Sequence, residues 1–387
     1  MIVDSLREEL SRLQAEGLQR RHRTVTAVDG PRMKVDGREV TAFCSNDYLG
    51  LAQDPDLAKA MAQGAKKWGT GSGASHLISG HQKPHEDAQK KLADFVGTQA
   101  ALLFSTGYMA NLGIVTALLS RGDAVFADRL NHASLIDAVQ LSRAEHMRYP
   151  HNDADTLRAQ LAASKAKHKM ILTDGVFSMD GDVAPLRELF ELAEKHDAWL
   201  VVDDAHGFGV LGPDGRGSVA HFDLPASPRI VYMGTLGKAA CVSGAFVAGD
   251  ATVIEWLLQT ARTHIFTTAA PAALAVAVAK SIDLIRYADD RREHLATLTA
   301  LLRAGLSGLP WELINTSTIP TPIQPILVGS NEEALRLSQG LFERGFWVPA
   351  IRPPTVAAGK ARLRITLSSA HTADDVDALV TTLGALA

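Results

Sequence analysis

The sequence predicts an α/β protein: a mostly parallel sheet covered by helices on both faces, followed by a smaller α+β domain. Three observations carry this. Short apolar runs alternate with helical stretches through the middle of the 387-residue chain, as β-α-β units require. One such run, Trp199-Leu200-Val201-Val202, ends in Asp203-Asp204-Ala205-His206, a polar tip that belongs at a sheet edge. Beyond Gly308-Leu309-Pro310 the chain changes to isolated strands and helices.

At the amino terminus, Ser5 and Glu8 read as a capping box, and Leu6, Leu10 and Leu13 recur at helical spacing. That helix needs a partner surface. The strands expected next are Ala100 to Phe104, Ala124 to Ala127, Met170 to Thr173, Trp199 to Val202, Ile230 to Met233 and Ala245 to Ala248. A long helical stretch from Pro271 to about Leu306 leads to the break. After it come strands Ile323 to Val328, Phe346 to Pro349 and Arg362 to Leu367, a helix around Glu332 to Arg344, and a closing helix capped by Thr372 and Asp375. The expected organisation is an arm and helix over 1–46, a large domain over 47–285 and a small domain over 286–387.

Composition excludes several functions. With 39 basic and 43 acidic residues the formal net charge is -4, so no nucleic-acid or acidic-membrane partner is expected. Cys44 and Cys241 are too few and too far apart for a disulfide framework, which points to a reducing compartment. The first residues lack the basic start and apolar core of a signal peptide, and the uncharged run from Thr267 to Ala279 contains Pro271 and is too short to span a bilayer. A cytoplasmic location is expected. His76, His81 and His85 fall close together, yet Pro84 interrupts them and no acid or thiol completes a ligand set, so no metal site is expected. Gly69 to His76 fails the dinucleotide pattern at Ala74, and no Gly-x-Ser-x-Gly elbow is present.

Chemistry concentrates at Lys238. It closes the run Ile230 to Gly237 and is followed by Ala239-Ala240-Cys241. Desolvation among such residues favours the neutral amine, a candidate Schiff-base nucleophile. Upstream, Asp203 or Asp204 could meet a pyridinium nitrogen. Ser105-Thr106-Gly107-Tyr108 follows a strand and opens a helix, which offers amide donors to a phosphate. Amine, acid and anion donors are the set that pyridoxal phosphate (PLP) requires.

Five segments together resemble the α-oxoamine synthases, PLP enzymes of fold type I: Ser45-Asn46-Asp47-Tyr48-Leu49-Gly50, Asp128 to Ser134, Asp174 to Asp182, Asp203 to Gly207 and Thr235 to Lys238. The resemblance spans nearly the whole chain. It implies a large domain with a mostly parallel seven-stranded sheet and a small carboxy-terminal α+β domain. It also implies decarboxylative condensation of L-alanine with a pimeloyl thioester carried on coenzyme A or acyl carrier protein, this branch being suggested by Ala350 to Val356 and Ala361 to Thr366.

Residue roles follow from the same resemblance. Lys238 binds the cofactor aldehyde and moves the Cα proton, Asp203 faces the ring nitrogen, and His206 and Ser178 meet the ring hydroxyl edge. His132 lies over the ring and meets substrate. Gly107, Tyr108 and Thr235 hold the phosphate, joined in a homodimer with shared sites by Thr267 and Thr268 of the neighbouring copy. Asn46 belongs to the substrate site. Arg364 takes the alanine carboxylate, although Arg362 shares its strand face, and Arg20 and Thr355 line the far end of the acyl chain. The competing readings are another synthase of the family, such as a glycine acetyltransferase, and a catalytically silent binding protein.

Overall fold

The strand Ala198–Asp203 has all but one residue buried, as have its neighbours Lys169–Asp174 and Ile230–Thr235. Strands buried on both faces must read as continuous apolar runs, and these do. In the computed structural model, which describes residues 2–387, they form the middle of a seven-stranded sheet. Its order is Ala100–Phe104, Ala245–Gly249, Ile230–Thr235, Ala198–Asp203, Lys169–Asp174, Ala124–Asp128, Glu145–Tyr149. Ala245–Gly249 alone runs antiparallel, to both its neighbours. The other strands therefore deliver their carboxyl ends to one edge: Phe104, Asp128, Tyr149, Asp174, Asp203 and Thr235.

One core cluster joins Ile114, Val115, Leu135 and Val139 to the sheet, and a second joins Leu157, Leu161, Leu189 and Leu192 to it. Fully burying such a side chain contributes about 1.5–3 kcal/mol. The edge strand Glu145–Tyr149 carries no apolar run. Only Tyr149 in it is buried, so burial pattern could not announce it.

The chain divides into two compact units. The one with this sheet comprises Leu49–Ser178 and Asp182–Arg292; the other comprises the segment up to Tyr48, Met179–Gly181 and Glu293–Ala387. In the second unit Glu312–Leu313, Ile323–Gly329, Ala361–Thr366 and Ala350–Ile351 form an antiparallel sheet, and Ala373–Gly384 closes the chain with Thr372 and Asp375 capping it reciprocally.

Three local expectations need correction. The helix Ile2–Ala15 starts before Ser5, whose hydroxyl donates to the Ile2 carbonyl at 2.8 Å instead of capping. The arm also contains strands Val25–Asp29, Arg32–Val35 and Arg38–Ala42, and Phe346–Trp347 pairs with the last of these. Their exposed, charged residues hide the period-2 signal. Finally, the stretch after Pro271 is two helices, Ala272–Arg286 and Asp289–Leu306.

Candidate active site

Three adjacent strand ends set the chemistry. Asp203 pairs with Asp174 on one side and Met233 on the other. Beyond Thr235 the chain turns through Leu236-Gly237 to Lys238, whose Nζ lies 2.8 Å from His206 Nε2. His206 is buried and Lys238 half-buried. The loop carrying His206 is pinned from beneath: Gly207 and Phe208 both donate amide hydrogens to the Asp204 carbonyl, at 3.2 and 2.9 Å.

Asp203 is 3 % exposed, and its carboxylate is held at both oxygens. The Ala205 amide donates to Oδ1 at 3.1 Å and Asn111 Nδ2 donates to Oδ2 at 2.7 Å. Asn111 Nδ2 also reaches Ser134 Oγ at 2.9 Å, and that oxygen lies 2.8 Å from His132 Nδ1. The Ser134 backbone amide points at the same nitrogen at 3.3 Å. An amide N–H can only donate, so Nδ1 carries the lone pair and the His132 ring proton sits on Nε2. Burial of its inner side holds His132 below the ordinary imidazole value, against the pull of Asp203.

Asp174 receives the His132 amide at 2.8 Å. Burial, and then the nearby Asp203 charge, push its carboxyl well above the usual range.

A helix start lies alongside. The strand Ala100–Phe104 runs into the helix Gly107–Leu118, with Thr106 Oγ1 accepting from the Met109 amide at 3.1 Å. Gly107 and Tyr108 open that helix, where amides and dipole favour an anion. The Tyr108 hydroxyl donates to Asp137. Ser178 is half-buried, and Thr235 Oγ1 lies 3.3 Å from the Gly244 carbonyl and 3.5 Å from the Gly237 amide. Thr267 and Thr268 stand on a separate segment: Thr267 donates to the Thr263 carbonyl at 2.8 Å, and Thr268 pairs with Ser75. An amine, a buried, doubly held carboxylate and a helix start are a donor set that fits PLP.

The other unit carries the remaining candidates. Arg362 pairs with Asp180 and reaches the Met179 carbonyl at 3.3 Å. Arg364, 6 % exposed, donates to Thr366 Oγ1 at 2.9 Å and meets the Tyr48 hydroxyl, which in turn lies 3.1 Å from Asn46 Oδ1. Arg20 and Thr355 are exposed. Sequence reasoning missed Arg352: burial and then the charge of Arg20 push it below the usual guanidinium value, so two cations share one locality. It also missed the bridging role of Asn111, although a lone amide in the apolar helix Gly107–Leu118 was a usable signal.

Residues 38–383 match the family "Aminotransferase class I and II". The 8-amino-7-oxononanoate synthase of Herminiimonas arsenicoxydans is 61% identical over 389 residues, covering 100% of both chains. Among solved structures, a serine palmitoyltransferase from S. paucimobilis with PLP and myriocin bound aligns with TM-score 0.93 at 30% identity, over 99% of this chain and 96% of that one. The 8-amino-7-oxononanoate synthase from Francisella tularensis aligns with TM-score 0.78 at 31% identity, over 89% and 97%.

Proposed function

We propose the following function for a chain that belongs to the 8-amino-7-oxononanoate synthases, within the class I and II aminotransferases: it joins L-alanine to a pimeloyl thioester with loss of carbon dioxide. The products are 8-amino-7-oxononanoate and the free thiol carrier. It is a PLP-dependent acyltransferase of biotin biosynthesis. The observation that carries the site assignment is the 2.8 Å contact between Lys238 and His206 beside the doubly held Asp203.

When bound, PLP supplies an electron sink for breaking bonds at the amino acid Cα. Lys238 Nζ would hold the cofactor aldehyde and, once displaced by the substrate amine, would take the Cα proton and return one to the product. His206 accepts from or donates to that nitrogen across 2.8 Å and so fixes its direction. Asp203 would face the ring nitrogen, its carboxylate aimed by the Asn111 and Ala205 donors. His132 would lie over the ring face. Ser178 would seat the ring edge, while Gly107, Tyr108 and Thr235 would hold the phosphate.

Arg364 takes the alanine carboxylate. Arg362 faces the Asp180 charge, while buried Arg364 reaches the Thr366 and Tyr48 hydroxyls with a planar guanidinium that matches a carboxylate by two hydrogen bonds. Arg20 and Arg352, each raising the other's electrostatic cost, suit the distal carboxylate of the acyl chain, with Thr355 close in sequence. A homodimer in which Thr267 and Thr268 serve the neighbouring copy's phosphate completes the reading. A cytoplasmic location accords with two free cysteines, and no helix among the described residues is long and apolar enough to cross a membrane.

The test is a panel of acyl thioesters against L-alanine and glycine, with mass detection of products. Pimeloyl thioester with L-alanine should give the mass of 8-amino-7-oxononanoate. Turnover of glycine with a short acyl thioester instead would assign the chain to a different condensation.

A further inference from the structure

The spacing His76-x4-His81-x3-His85 becomes a cluster because of one tight turn. His76–Gly80 forms a π-helical turn that doubles the chain back on itself. Gly80 packs so closely that a Cβ there would lie 2.1 Å from the Ala74 carbonyl oxygen. The helix Lys83–Val96 then starts at once, and His85 occupies its first turn. Each of the three histidines thereby offers a ring nitrogen within 4.8 Å of the other two. His76 Nδ1 and His81 Nδ1 are 2.9 Å apart.

We propose that His76, His81 and His85 bind a first-row divalent metal ion of the zinc, cobalt or nickel type. Zinc–nitrogen bonds of about 2.0–2.1 Å put two ligand nitrogens roughly 3.4 Å apart on a tetrahedral ion. The His76–His81 separation needs a small opening, and the other pairs a closing of about 1.4 Å at most, within reach of side-chain rotation. Three imidazoles leave a fourth position for water, as in three-histidine zinc sites. A neutral, acid-free nitrogen set selects against magnesium and calcium, which take oxygen ligands.

The surroundings favour this use. His264 stacks on His76 with ring centroids 4.9 Å apart, and its buried Nε2 has no hydrogen-bond partner. His81 is exposed and His76 half-buried, which gives an ion a way in. His85 is the conditional ligand. The Gln82 amide donates to its Nδ1 at 3.0 Å and its Nε2 gives a proton to the Ala270 carbonyl at 2.8 Å, so ligation exchanges one of these contacts for a metal bond.

The experiment uses tag-free, metal-stripped holoenzyme titrated with Zn2+ by calorimetry and with Co2+ by visible absorption. The expected result is one ion per chain, with Co2+ bands of four-coordinate intensity. His76→Ala and His81→Ala should each weaken binding about tenfold or more, while His168→Ala, a change at a histidine outside the cluster, binds as the parent does. His81→Cys, which restores a zinc ligand, should recover binding. Absence of uptake at about 1 mM ion, or uptake unchanged in folded His76→Ala and His81→Ala, overturns the proposal.

Discussion

Asn111 donates an amide hydrogen to Asp203 across 2.7 Å, and both side chains are buried. Through Ser134 the same amide connects to His132, so Asp203 and His132 share one hydrogen-bonded support. A hydrogen bond to a buried charge contributes about 1.5–3 kcal/mol. Asn111→Ala should therefore lower kcat roughly 10- to 100-fold and weaken PLP retention, read by steady-state kinetics and cofactor absorbance. Asn111→Asp, which sets a second carboxylate against Asp203, should be worse. Wild-type kcat in Asn111→Ala would remove the support from the mechanism.

Asp204 is wholly buried, and burial pushes its carboxyl up to about 7 even though the Ser218 amide and the Tyr232 hydroxyl donate to it at 2.7 and 2.8 Å. The folded state thus binds a proton that the unfolded chain releases near pH 4, and stability falls as pH rises from there through about 7. Asp204→Asn keeps the shape without the charge. Its melting temperature relative to the parent should be more favourable near pH 8 than near pH 5, measured by calorimetry. A pH-independent difference would show that Asp204 does not titrate in this window.

His151 lies 3.1 Å from Asp128 and 2.7 Å from Asp182. Burial disfavours its charge, yet the two carboxylates win and raise its value to about 10. This contribution to stability is complete below about 6.5 and is lost as pH climbs through about 10. His151→Gln should lower the melting temperature by several degrees near neutral pH, with the deficit shrinking toward pH 10. Thermal scans against pH decide it, and a deficit that stays constant contradicts the ion-pair account.

The arginines separate by substrate. Arg364→Gln should raise KM for L-alanine roughly tenfold or more, and Arg352→Gln should raise KM for the pimeloyl thioester while leaving that for alanine unchanged. Arg362→Gln strands Asp180 and should lower stability more than either KM. Initial-rate kinetics with each substrate varied in turn would reveal any exchange of these roles.

The central sheet was legible because buried parallel strands spell themselves as apolar runs, Trp199 to Val202 and Ile230 to Met233 above all. Glu145–Tyr149 and the arm strands were not, since edge and surface strands are mostly polar. At the candidate site, the positions of Lys238 and of the Asp203-Asp204-Ala205-His206 tip just beyond apolar strands were legible, and the structure brings Lys238 to His206. Asn111, Ser134 and Asp174 were not legible. They come from different strands and helices and meet Asp203 or His132 only after folding. The closeness of His76, His81 and His85 was legible from their spacing; the π-helical turn that brings their ring nitrogens within 4.8 Å was not.

The most direct measurement is borohydride reduction of the PLP-loaded protein followed by peptide mapping. The cofactor mass should appear on Lys238 alone, and Lys238→Ala should retain no reducible cofactor. Label on another lysine, or none in the parent protein, would contradict the whole account.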